Sequence, residues 1–261
     1  MTLPFLKWAG SKRQLLPDLR KYVPSDYSVY FETFLGGGAL FFDIAPRRAV
    51  LADANWELIE TYRAVRDYVE ELIKLLSKYP RDRDVYYKIR DESTNDRSSI
   101  EIGARFIYIN RCGFNGLWRE NKKGQCNVPF GDMKAPVCDA ERLRACSKIL
   151  KNAEIFHLDF SVAMRAKDGD FCYFDPPYVP LNATSNFVAY TSKGFSSENQ
   201  VRLRDLALRL RSRGVHVLLS NSNAPVVRSL YQDFEIKEVM ARRGINSKAD
   251  GRGKIKELLI R

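Results

Sequence analysis

Short apolar segments alternate with helical patterns in the first third of the chain. Residues 28–33 are apolar, aromatic and β-branched and lead directly into FLGGGAL, which predicts a strand, a glycine turn and the start of a helix. Residues 47–53 predict a second short strand that ends in an acid. Apolar positions at helical spacing predict a helix from about Asn55 to Tyr79, and KRQLLPDLRKYV predicts a short amphipathic helix before the first strand.

The pattern is interrupted between residues 80 and 150 and then returns. The interruption is rich in charged residues and turn formers, which predicts an inserted region that is helical at both ends and loop-like in its middle. After it, a helix is predicted over residues 196–214, with a serine as N-cap and a glycine as its stop. Three further strands are predicted at residues 154–160, 169–178 and 214–222. The last two apolar segments, FEIKEVMA and KIKELLIR, predict a closing antiparallel hairpin.

Strands that alternate with helices predict an α/β fold, with a mostly parallel sheet that is covered by helices on both faces. Such sheets bind ligands at the carboxyl ends of their strands. Three motifs, FLGGGA, LAD and DPPY, each follow a predicted strand. We therefore expect them to meet at one edge of the sheet and to form the functional site there.

Positive charge is concentrated in two segments. The chain carries a formal net charge of +11, with six Lys/Arg against two acids over residues 105–134 and seven against two over residues 237–256. Clustered positive charge with aromatic residues between favours a nucleic-acid partner over a diffusely solvated surface. The basic loop within the second segment is expected to contact phosphates.

Other sequence features disfavour several classes of protein. No stretch approaches the roughly 20 apolar residues of a membrane span, and the N-terminus lacks the apolar run of a signal peptide, so we expect a soluble, cytoplasmic protein. The five cysteines show no C-x-x-C spacing and only two histidines accompany them. This composition predicts free thiols and no metal site.

The glycine turn and the acid that follows it indicate a nucleotide-like cofactor. Gly36, Gly37 and Gly38 allow positive φ angles and a close approach of the backbone to a ligand. Asp53 stands at the end of the next predicted strand, where its carboxylate can accept hydrogen bonds from both ribose hydroxyls. These residues suit NAD and S-adenosylmethionine equally, since both contain adenosine.

The segment Asp175-Pro176-Pro177-Tyr178 indicates chemistry on an exocyclic amino group. The lone pair of such an amine is delocalised into the ring, so the nitrogen is a poor nucleophile. Hydrogen bonds from its two N–H groups to Asp175 and to a main-chain carbonyl held by the prolines favour a more tetrahedral nitrogen. Tyr178 offers a face on which an extruded base can stack, and the polar segment 179–197 after it is expected to close over that base. On the residues alone, a plain proline-rich turn is the competing interpretation.

Four sequence blocks, taken in order, resemble a known family. FLKWAGSKRQLLP, VYFETFLGGGALFF, YINRCGFNGLWRENKKGQCNVPFG and YFDPPYVPL together resemble the Dam-type adenine-N6 methyltransferases, which modify GATC. The similarity spans essentially the whole chain and departs from the family pattern at Thr33, where proline is usual, and at Ser11, where glycine is common. It implies a Rossmann-like, S-adenosylmethionine-dependent catalytic domain over residues 1–56 and 152–261. It also implies an inserted, mainly helical target-recognition domain over residues 57–151.

The resemblance implies roles for particular residues in cofactor binding and catalysis. Lys12 is expected near the methionine carboxylate, Asp53 at the ribose, and Asp175 between the cofactor and the target base. The catalytic residues are Asp175, Pro176, Pro177 and Tyr178. The cofactor-binding residues are Trp8, Lys12, Phe34, Gly36, Gly38, Asp53, Asp159, Phe160 and Asp175.

In the inserted region the resemblance implies contacts with double-stranded DNA. Arg119 corresponds to a residue that reads a guanine by a bidentate contact in the major groove. Phe114, which Asn115 follows, corresponds to an aromatic residue that fills or wedges the base stack. Leu117 and Pro129 correspond to residues that pack against thymine and its surroundings. The implied reaction is methylation of adenine N6 in GATC, with S-adenosylmethionine as cofactor and without a metal ion.

Three alternatives remain open on the sequence. A nicotinamide-dependent dehydrogenase explains the glycine turn and Asp53, but neither DPPY nor the basic insert. A DNA-binding regulator on an inactive scaffold is disfavoured by the intact Asp175, Asp53 and Lys12. Methylation of cytosine N4 or of an RNA adenine uses similar chemistry, which the motif separates only in part. A restriction endonuclease that acts on the same site is a further candidate partner.

Overall fold

The computed structural model describes residues 2–121, 123–132, 134–179, 195–242 and 254–261. Within these ranges one sheet contains the strands Tyr30–Glu32 (β1), Ala49–Asp53 (β2), Ala153–His157 (β3), Phe171–Phe174 (β4), His216–Ser222 (β5), Ile236–Arg242 (β6) and Lys254–Ile260 (β7). The α-helices are Leu16–Leu19 (α1), Ala39–Ile44 (α2), Trp56–Asp67 (α3), Val69–Leu76 (α4), Arg83–Asp91 (α5), Ser99–Cys112 (α6), Ala140–Leu150 (α7), Ser197–Arg211 (α8) and Pro225–Leu230 (α9). Short 3-10 helices cover Lys12–Leu15, Arg20–Tyr22, Phe114–Gly116 and Phe160–Arg165.

The strand order in the sheet is β3-β2-β1-β4-β5-β7-β6. Adjacent strands from β3 to β5 are parallel, and β7 runs antiparallel between β5 and β6. This arrangement confirms the predicted mostly parallel sheet with a closing antiparallel hairpin. The chain runs outward from β1 to β3 on one side and from β4 to β5 on the other, so the order reverses between β1 and β4. Ligands of such sheets bind at this reversal point, at the carboxyl ends of the strands.

Apolar side chains from the two faces of the sheet form two cores. On one face, Tyr30, Leu51 and Tyr173 pack in a cluster with residues of α2 to α7. On the other face, Phe31 and Phe174 pack with residues of α8 and α9. Because both faces are covered, nearly all residues of β1, β2, β4 and β5 are buried, and these strands appear in the sequence as short apolar runs.

The helices between β2 and β3 pack in one layer. α3 contacts β2 and β3 as well as α6 and α7, and α4 also contacts α6 and α7. Their apolar residues belong to the same core as one face of the sheet. Between α6 and α7, residues 113–131 form a segment that we call the recognition loop, with isolated antiparallel bridges Gly113–Phe130 and Glu120–Cys126. The middle of the predicted insert is therefore loop-like, as expected.

The single helix predicted after β2 is in fact two helices, so the prediction was wrong where it missed the break between them. Asn55 caps α3, and its side-chain oxygen accepts the Leu58 N–H at 2.9 Å. Tyr68 has φ −134° and ψ 39°, outside the helical region, and it separates α3 from α4. Neither glycine nor proline marks this break. The local signal is Glu70 and Glu71 in the first turn of α4, where acids favour a helix N-terminus.

Other element boundaries also differ from the predicted ones. KRQLLPDLRKYV forms three short turns rather than one helix, since Pro17 lacks the N–H that would bond back to the preceding turn. The strand predicted after the insert ends at His157, because Asp159 caps a 3-10 helix with its side chain. β4 ends at Phe174, before two prolines that cannot continue the ladder. α9 is an element that the sequence pattern did not predict.

Two expectations fall on residues outside the described ranges. The first is closure over an extruded base by the segment 179–197, of which residues 180–194, with Phe187 and Tyr190, are not described. The second is phosphate contacts by the basic loop at 240–256, of which residues 243–253 are not described. All five cysteines are free, as predicted. Among the described residues no helix is long and apolar enough to cross a membrane, and no group of three or more His, Cys, Asp or Glu side chains is placed to hold a metal ion.

Candidate functional site

The carboxyl ends of β1, β2 and β4 bring the three predicted motifs to one edge of the sheet. Glu32 in β1 pairs with Leu51 in β2 and with Tyr173 in β4. Two residues further along β2 and the β4 segment, the chain reaches Asp53 and Asp175. Neighbouring strands are about 4.8 Å apart, so the backbones of the two acids lie at one level, roughly 10 Å from each other. The expected meeting of the motifs at one edge is confirmed.

The glycine turn after β1 is tied to Asp53. The Gly36 N–H donates to Asp53 Oδ2 at 3.0 Å, and the Asn55 N–H donates to Oδ1 at 2.9 Å. Burial raises the pKa of Asp53, and these N–H groups oppose that shift. Gly36 and Gly38 have φ angles of +46° and +63°, which disfavour any side chain. The hydroxyl of Tyr62 also donates to the Gly36 carbonyl at 3.0 Å.

Trp8 forms one wall of this turn. A Cβ atom at Gly36 would lie 2.7 Å from the indole ring, and one at Gly37 would lie 2.9 Å from the Trp8 Cβ. Trp8 also stacks on Phe106, with ring centroids 6.3 Å apart, and Phe106 stacks on Trp118 at 4.0 Å. The glycine backbone thus lies directly against an aromatic wall, in a tight turn that we call the glycine cradle, where Trp8 already occupies the space that a side chain at Gly36 or Gly37 would need.

Three phenylalanines form an aromatic cluster after β1. The Phe34 ring stacks on Phe160 with centroids 5.5 Å apart and meets Phe195 edge-on, also at 5.5 Å. Asp159 is exposed and forms an ion pair with Arg202 at 3.0 Å. The structure therefore brings Phe34 and Phe160 together and places the Asp159 side chain towards solvent.

The cradle, the acid and the aromatic cluster together fit an adenosine-containing cofactor. Each carboxylate oxygen of Asp53 accepts one backbone N–H, from Gly36 or from Asn55, and retains lone-pair capacity, as recognition of two ribose hydroxyls requires. NAD and S-adenosylmethionine both meet these requirements, so this half of the site does not distinguish them.

Asp175 is held through one of its two oxygens. Its Oδ1 accepts a hydrogen bond from Ser220 Oγ at 2.7 Å and forms an ion pair with Lys12 Nζ at 2.9 Å. Ser220 is hydrogen-bonded to the Tyr173 hydroxyl at 3.0 Å, and Lys12 also donates to the Gly10 carbonyl at 2.7 Å. Oδ2 has no hydrogen-bond partner in the described part of the chain. The carboxylate is therefore fixed in orientation and retains one oxygen that can accept a hydrogen bond from a ligand.

A buried amide network holds the proline turn. Gln200 Nε2 in α8 donates to the Pro177 carbonyl at 3.1 Å, and Gln200 Oε1 accepts from Asn221 Nδ2 in β5 at 3.2 Å. Ser222 Oγ donates to the Val179 carbonyl at 2.7 Å. These bonds fix the backbone on both sides of the motif tyrosine, so the carbonyl groups of the turn keep one direction.

Tyr178 is held at its hydroxyl and over one face of its ring. The hydroxyl donates to Glu257 Oε2 at 2.7 Å, and Lys12 Nζ lies 4.5 Å from the ring centroid. Burial raises the pKa of Tyr178 well above its usual value and also raises the pKa of Glu257. The tyrosine therefore keeps its proton at neutral pH and is the hydrogen-bond donor.

Glu32 lies buried beneath this edge of the sheet. Burial raises its pKa to about 8, although the Tyr30 hydroxyl and the Phe41 N–H donate to it. The negative charges of Asp175 and Asp53 raise the pKa of Glu32 further. At neutral pH Glu32 is therefore mostly protonated, and it adds little negative charge to a site that already holds two acids.

The first arm of the recognition loop carries three of the predicted DNA-contacting residues. Phe114 is 51% exposed, and its N–H donates to the Pro129 carbonyl at 2.8 Å, so these two predicted residues meet at the base of the loop. Asn115 is exposed and has a φ angle of +56°. Leu117 is partly buried against the core. The arm therefore presents two side chains to solvent and anchors a third.

Arg119 and the next residue point in different directions. Arg119 is exposed, and its Nε donates to Asn127 Oδ1 across the loop at 2.7 Å. Glu120 Oε1 instead accepts from Asn55 Nδ2 at 3.2 Å and from Trp118 Nε1 at 3.0 Å. Glu120 thereby ties the loop to the segment just after Asp53, while Arg119 remains accessible.

Sequence reasoning missed several residues that hold the site together: Ser220, Asn221, Gln200, Glu257 and Glu120. Ser220 and Asn221 stand at the end of the apolar run of β5, so the strand-end rule that found DPPY would also have found them. Gln200, Glu257 and Glu120 gave no such signal, because each meets its partner only through the packing of distant elements.

Proteins with similar sequences are DNA methyltransferases. The sequence model of the D12 class N6 adenine-specific DNA methyltransferase family matches residues 8–245. The Type II methyltransferase M1.LlaDCHI of Lactococcus lactis subsp. cremoris is 46% identical over 98% of this chain and 94% of its own. The Type II methyltransferase M.MjaIII of Methanocaldococcus jannaschii is 39% identical over 98% of each chain. The DNA adenine methylase of Escherichia coli (strain K12) is 36% identical over 98% of this chain and 93% of its own.

Among solved structures, precorrin 8w decarboxylase of Methanobacterium thermoautotrophicum aligns over 100% of this chain and 97% of that chain. Its TM-score is 0.42 and its sequence identity is 11%, a likeness too weak to carry an argument.

Proposed function

Because this chain belongs to the D12 class N6 adenine-specific DNA methyltransferases, which methylate adenine N6 in DNA, we propose that it uses S-adenosylmethionine, recognises duplex GATC and extrudes the target adenine towards Asp175. The observation that carries the proposal is the Asp175 carboxylate. It is fixed through Oδ1, and its Oδ2 has no partner among the described residues. It also lies one strand away from the glycine cradle, on the adjacent β4 segment.

S-adenosylmethionine, when bound, supplies an electrophilic methyl group on a positively charged sulfur. Asp53 accepts hydrogen bonds from the ribose hydroxyls, and the glycine cradle receives the part of the ligand that lies closest to the backbone. Lys12 orients Asp175 and is assigned to the methionine carboxylate. The residues proposed to hold the donor are Trp8, Lys12, Phe34, Gly36, Gly38, Asp53, Asp159, Phe160 and Asp175.

The DPPY turn binds the amino group of the base. Asp175 Oδ2 accepts one N–H of the adenine amine and the Pro176 carbonyl accepts the other, which favours a nitrogen with an available lone pair. Tyr178 supplies a ring face for stacking of the base. The methylated nitrogen releases one proton to Asp175 or to water, so no separate strong base is needed. Catalysis then rests on orientation and on acceptors that are already in place.

We assign the inserted residues 57–151 to target recognition. Arg119 is exposed and suits a bidentate contact with a guanine, and Phe114 is exposed at the base of the loop, where it suits insertion into the base stack. Lys123 and Lys134 are exposed and suit phosphate contacts, which set affinity without reading sequence. Two other basic residues of the 105–134 stretch, Arg105 and Arg111, are buried and are not available for such contacts. The residues proposed to contact DNA are Phe114, Asn115, Leu117, Arg119 and Pro129.

The proposed substrate also suggests where the enzyme acts in the cell and with which partners. Duplex DNA as substrate places the reaction in the cytoplasm, beside the genome. Two of the relatives bear the name Type II methyltransferase, which supports an association with a restriction endonuclease of the same specificity. The third bears the name DNA adenine methylase, which does not point to a restriction endonuclease.

Identification of the methylated nucleoside tests the proposal. Purified protein is incubated with S-adenosylmethionine and plasmid DNA, the product is digested, and the nucleosides are identified by mass spectrometry. N6-methyladenine is expected, and mapping is expected to place it in GATC. Methylation at N4 of cytosine, or preferential transfer to RNA, would contradict the proposal, and loss of transfer without added S-adenosylmethionine is the control for the donor.

A further inference from the structure

The Tyr178 hydroxyl is bound by an acid from a distant part of the chain. Glu257 lies in β7, and its Oε2 accepts the Tyr178 hydroxyl at 2.7 Å. β7 is an interior strand of the sheet, in which Glu257 pairs with Ser222 of β5 and with Val239 of β6. The backbone that carries the acid is therefore fixed from both sides, and a rigid support holds the acceptor in place.

The hydrogen bond has a defined direction. Burial raises the pKa of Tyr178, so its hydroxyl keeps its proton and donates. Glu257 is 9% exposed, and in the described part of the chain its carboxylate accepts no other hydrogen bond. The Tyr178 hydroxyl is thus the one hydrogen-bond donor to this carboxylate among the described residues, and the positive charge of Lys12 also acts on it, lowering its pKa against the effect of burial.

Lys12 covers one face of the same ring. Its Nζ lies 4.5 Å from the Tyr178 ring centroid and 2.9 Å from Asp175 Oδ1. A ring with an ammonium group over one face has a single face left for a base. The hydroxyl bond to Glu257 limits tilting of the ring, so it determines how that free face is presented next to Asp175.

We propose that Glu257 is a positioning residue that fixes the Tyr178 ring so that the extruded adenine stacks on the face opposite Lys12. This inference rests on the proposed function, because it takes Tyr178 as the stacking surface for the base. Glu257 acts on the base through the tyrosine hydroxyl, and Glu257→Gln shows whether its charge near Lys12 also matters. Loss of the acid and loss of the hydroxyl should therefore have the same effect.

A duplex that carries 2-aminopurine at the target adenine tests this role, since its fluorescence rises when the base leaves the stack. The wild-type protein with S-adenosylhomocysteine is expected to give the rise. Glu257→Leu is expected to lose most of it and to lower kcat on the normal duplex by about tenfold, with Kd for DNA within about twofold of wild type. Glu257→Gln keeps an acceptor oxygen and is expected to restore both readouts. Glu238→Leu removes the same charge from an exposed position of the neighbouring strand β6 and is the matched control.

Tyr178→Phe removes the same hydrogen bond from the other side and keeps the ring. It is expected to match Glu257→Leu, and the double variant is expected to be no worse than either single variant. Thermal unfolding shows whether each variant is folded. If Glu257→Leu is not folded, a comparison of the single variants Tyr178→Phe and Glu257→Gln tests the role of the hydrogen bond instead. If the losses of kcat in the two single variants multiply in the double variant, or if Glu257→Leu gives the full fluorescence rise, the role of Glu257 is overturned and the proposed function remains intact. A wild-type protein that gives no rise would overturn base extrusion and this inference with it.

Discussion

The proline turn and the recognition loop are built in opposite ways. Buried side chains from α8, β5 and β7 reach the turn at Pro177, Asp175 and Tyr178. In the recognition loop, backbone hydrogen bonds join the two arms, while Phe114 and Arg119 remain exposed. The turn is therefore organised before any ligand arrives. The loop instead presents exposed side chains, of which Arg119 is bonded only to Asn127 across the loop in the described part of the chain.

This contrast predicts a separation of mutational effects. Changes at the turn should lower the rate of methyl transfer and leave DNA affinity nearly unchanged, because acceptors that are already in place act mainly on the transition state. Changes in the recognition loop should instead alter the preference among DNA sequences, because base contacts carry specificity.

Asp175→Ala is expected to lower kcat by about a thousandfold, since removal of one preorganised charge-stabilising group costs about 10² to 10³ in kcat. Kd for duplex DNA should change little, because Asp175 lies at the sheet edge and not in the recognition loop. Single-turnover methyl transfer measures the loss of rate, and a DNA-binding titration measures Kd. Asp233→Ala changes an exposed acid and serves as the control. Activity near that of wild type in Asp175→Ala would remove the carboxylate from the mechanism.

Gly36→Ala is expected to weaken binding of S-adenosylhomocysteine by more than about tenfold and to destabilise the fold by about 1–3 kcal/mol. The added Cβ would lie 2.7 Å from the Trp8 indole at a φ angle of +46°. Gly124→Ala in the recognition loop is the matched control, because it has a φ angle of +75° but no atom within 4 Å of the added Cβ. Calorimetric titration and urea unfolding separate the two variants, and equal ligand affinity in both would contradict the assignment of the cradle.

Arg119→Ala is expected to lose about 1–3 kcal/mol of discrimination at one guanine, while kcat on the preferred site is retained at saturating DNA. Lys123→Ala, at another exposed position of the recognition loop, should weaken binding to all DNA sequences alike and reduce the salt dependence of the dissociation constant. Transfer rates on GATC and on singly substituted duplexes provide the comparison. An unchanged site preference in Arg119→Ala would exclude it as the reader.

Glu32→Gln is expected to affect methyl transfer least. The folded-state pKa of Glu32, about 8, lies above the ordinary value of 4.5, so its contribution to stability is full below about pH 4.5 and is lost as pH rises to about 8. Glutamine keeps an oxygen for the Tyr30 hydroxyl and the Phe41 N–H, and it does not ionise. Urea unfolding between pH 5 and pH 9 should therefore show a smaller fall in stability for the variant. If the free energy of unfolding of the variant falls with pH as steeply as that of the wild type, burial of Glu32 does not raise its pKa.

Sequence patterns were sufficient for much of the sheet, because its strands are short apolar runs that end in distinctive residues. The glycine turn, Asp53 and Asp175 each follow such a run, and the strand-end rule correctly brought them to one edge. The break at Tyr68 was not predictable in the same way, since its backbone angles depend on the packing of α3 and α4 rather than on a glycine or proline.

The supports of the candidate site were less predictable than its central residues. The DPPY motif is contiguous, so it can be found without knowledge of the fold. The contact of Glu257 with Tyr178 depends on β7 lying between β5 and β6, which no local pattern specifies. Likewise, Glu120 meets Asn55 only because the recognition loop turns back towards the end of β2.

A crystal structure of the protein with S-adenosylhomocysteine and a GATC duplex would show whether the target adenine leaves the helix and reaches Asp175. We expect an adenine outside the base stack, with its N6 atom about 3 Å from Asp175 Oδ2. An adenine that remains paired in the duplex, or an extruded adenine bound away from Asp175, would contradict it.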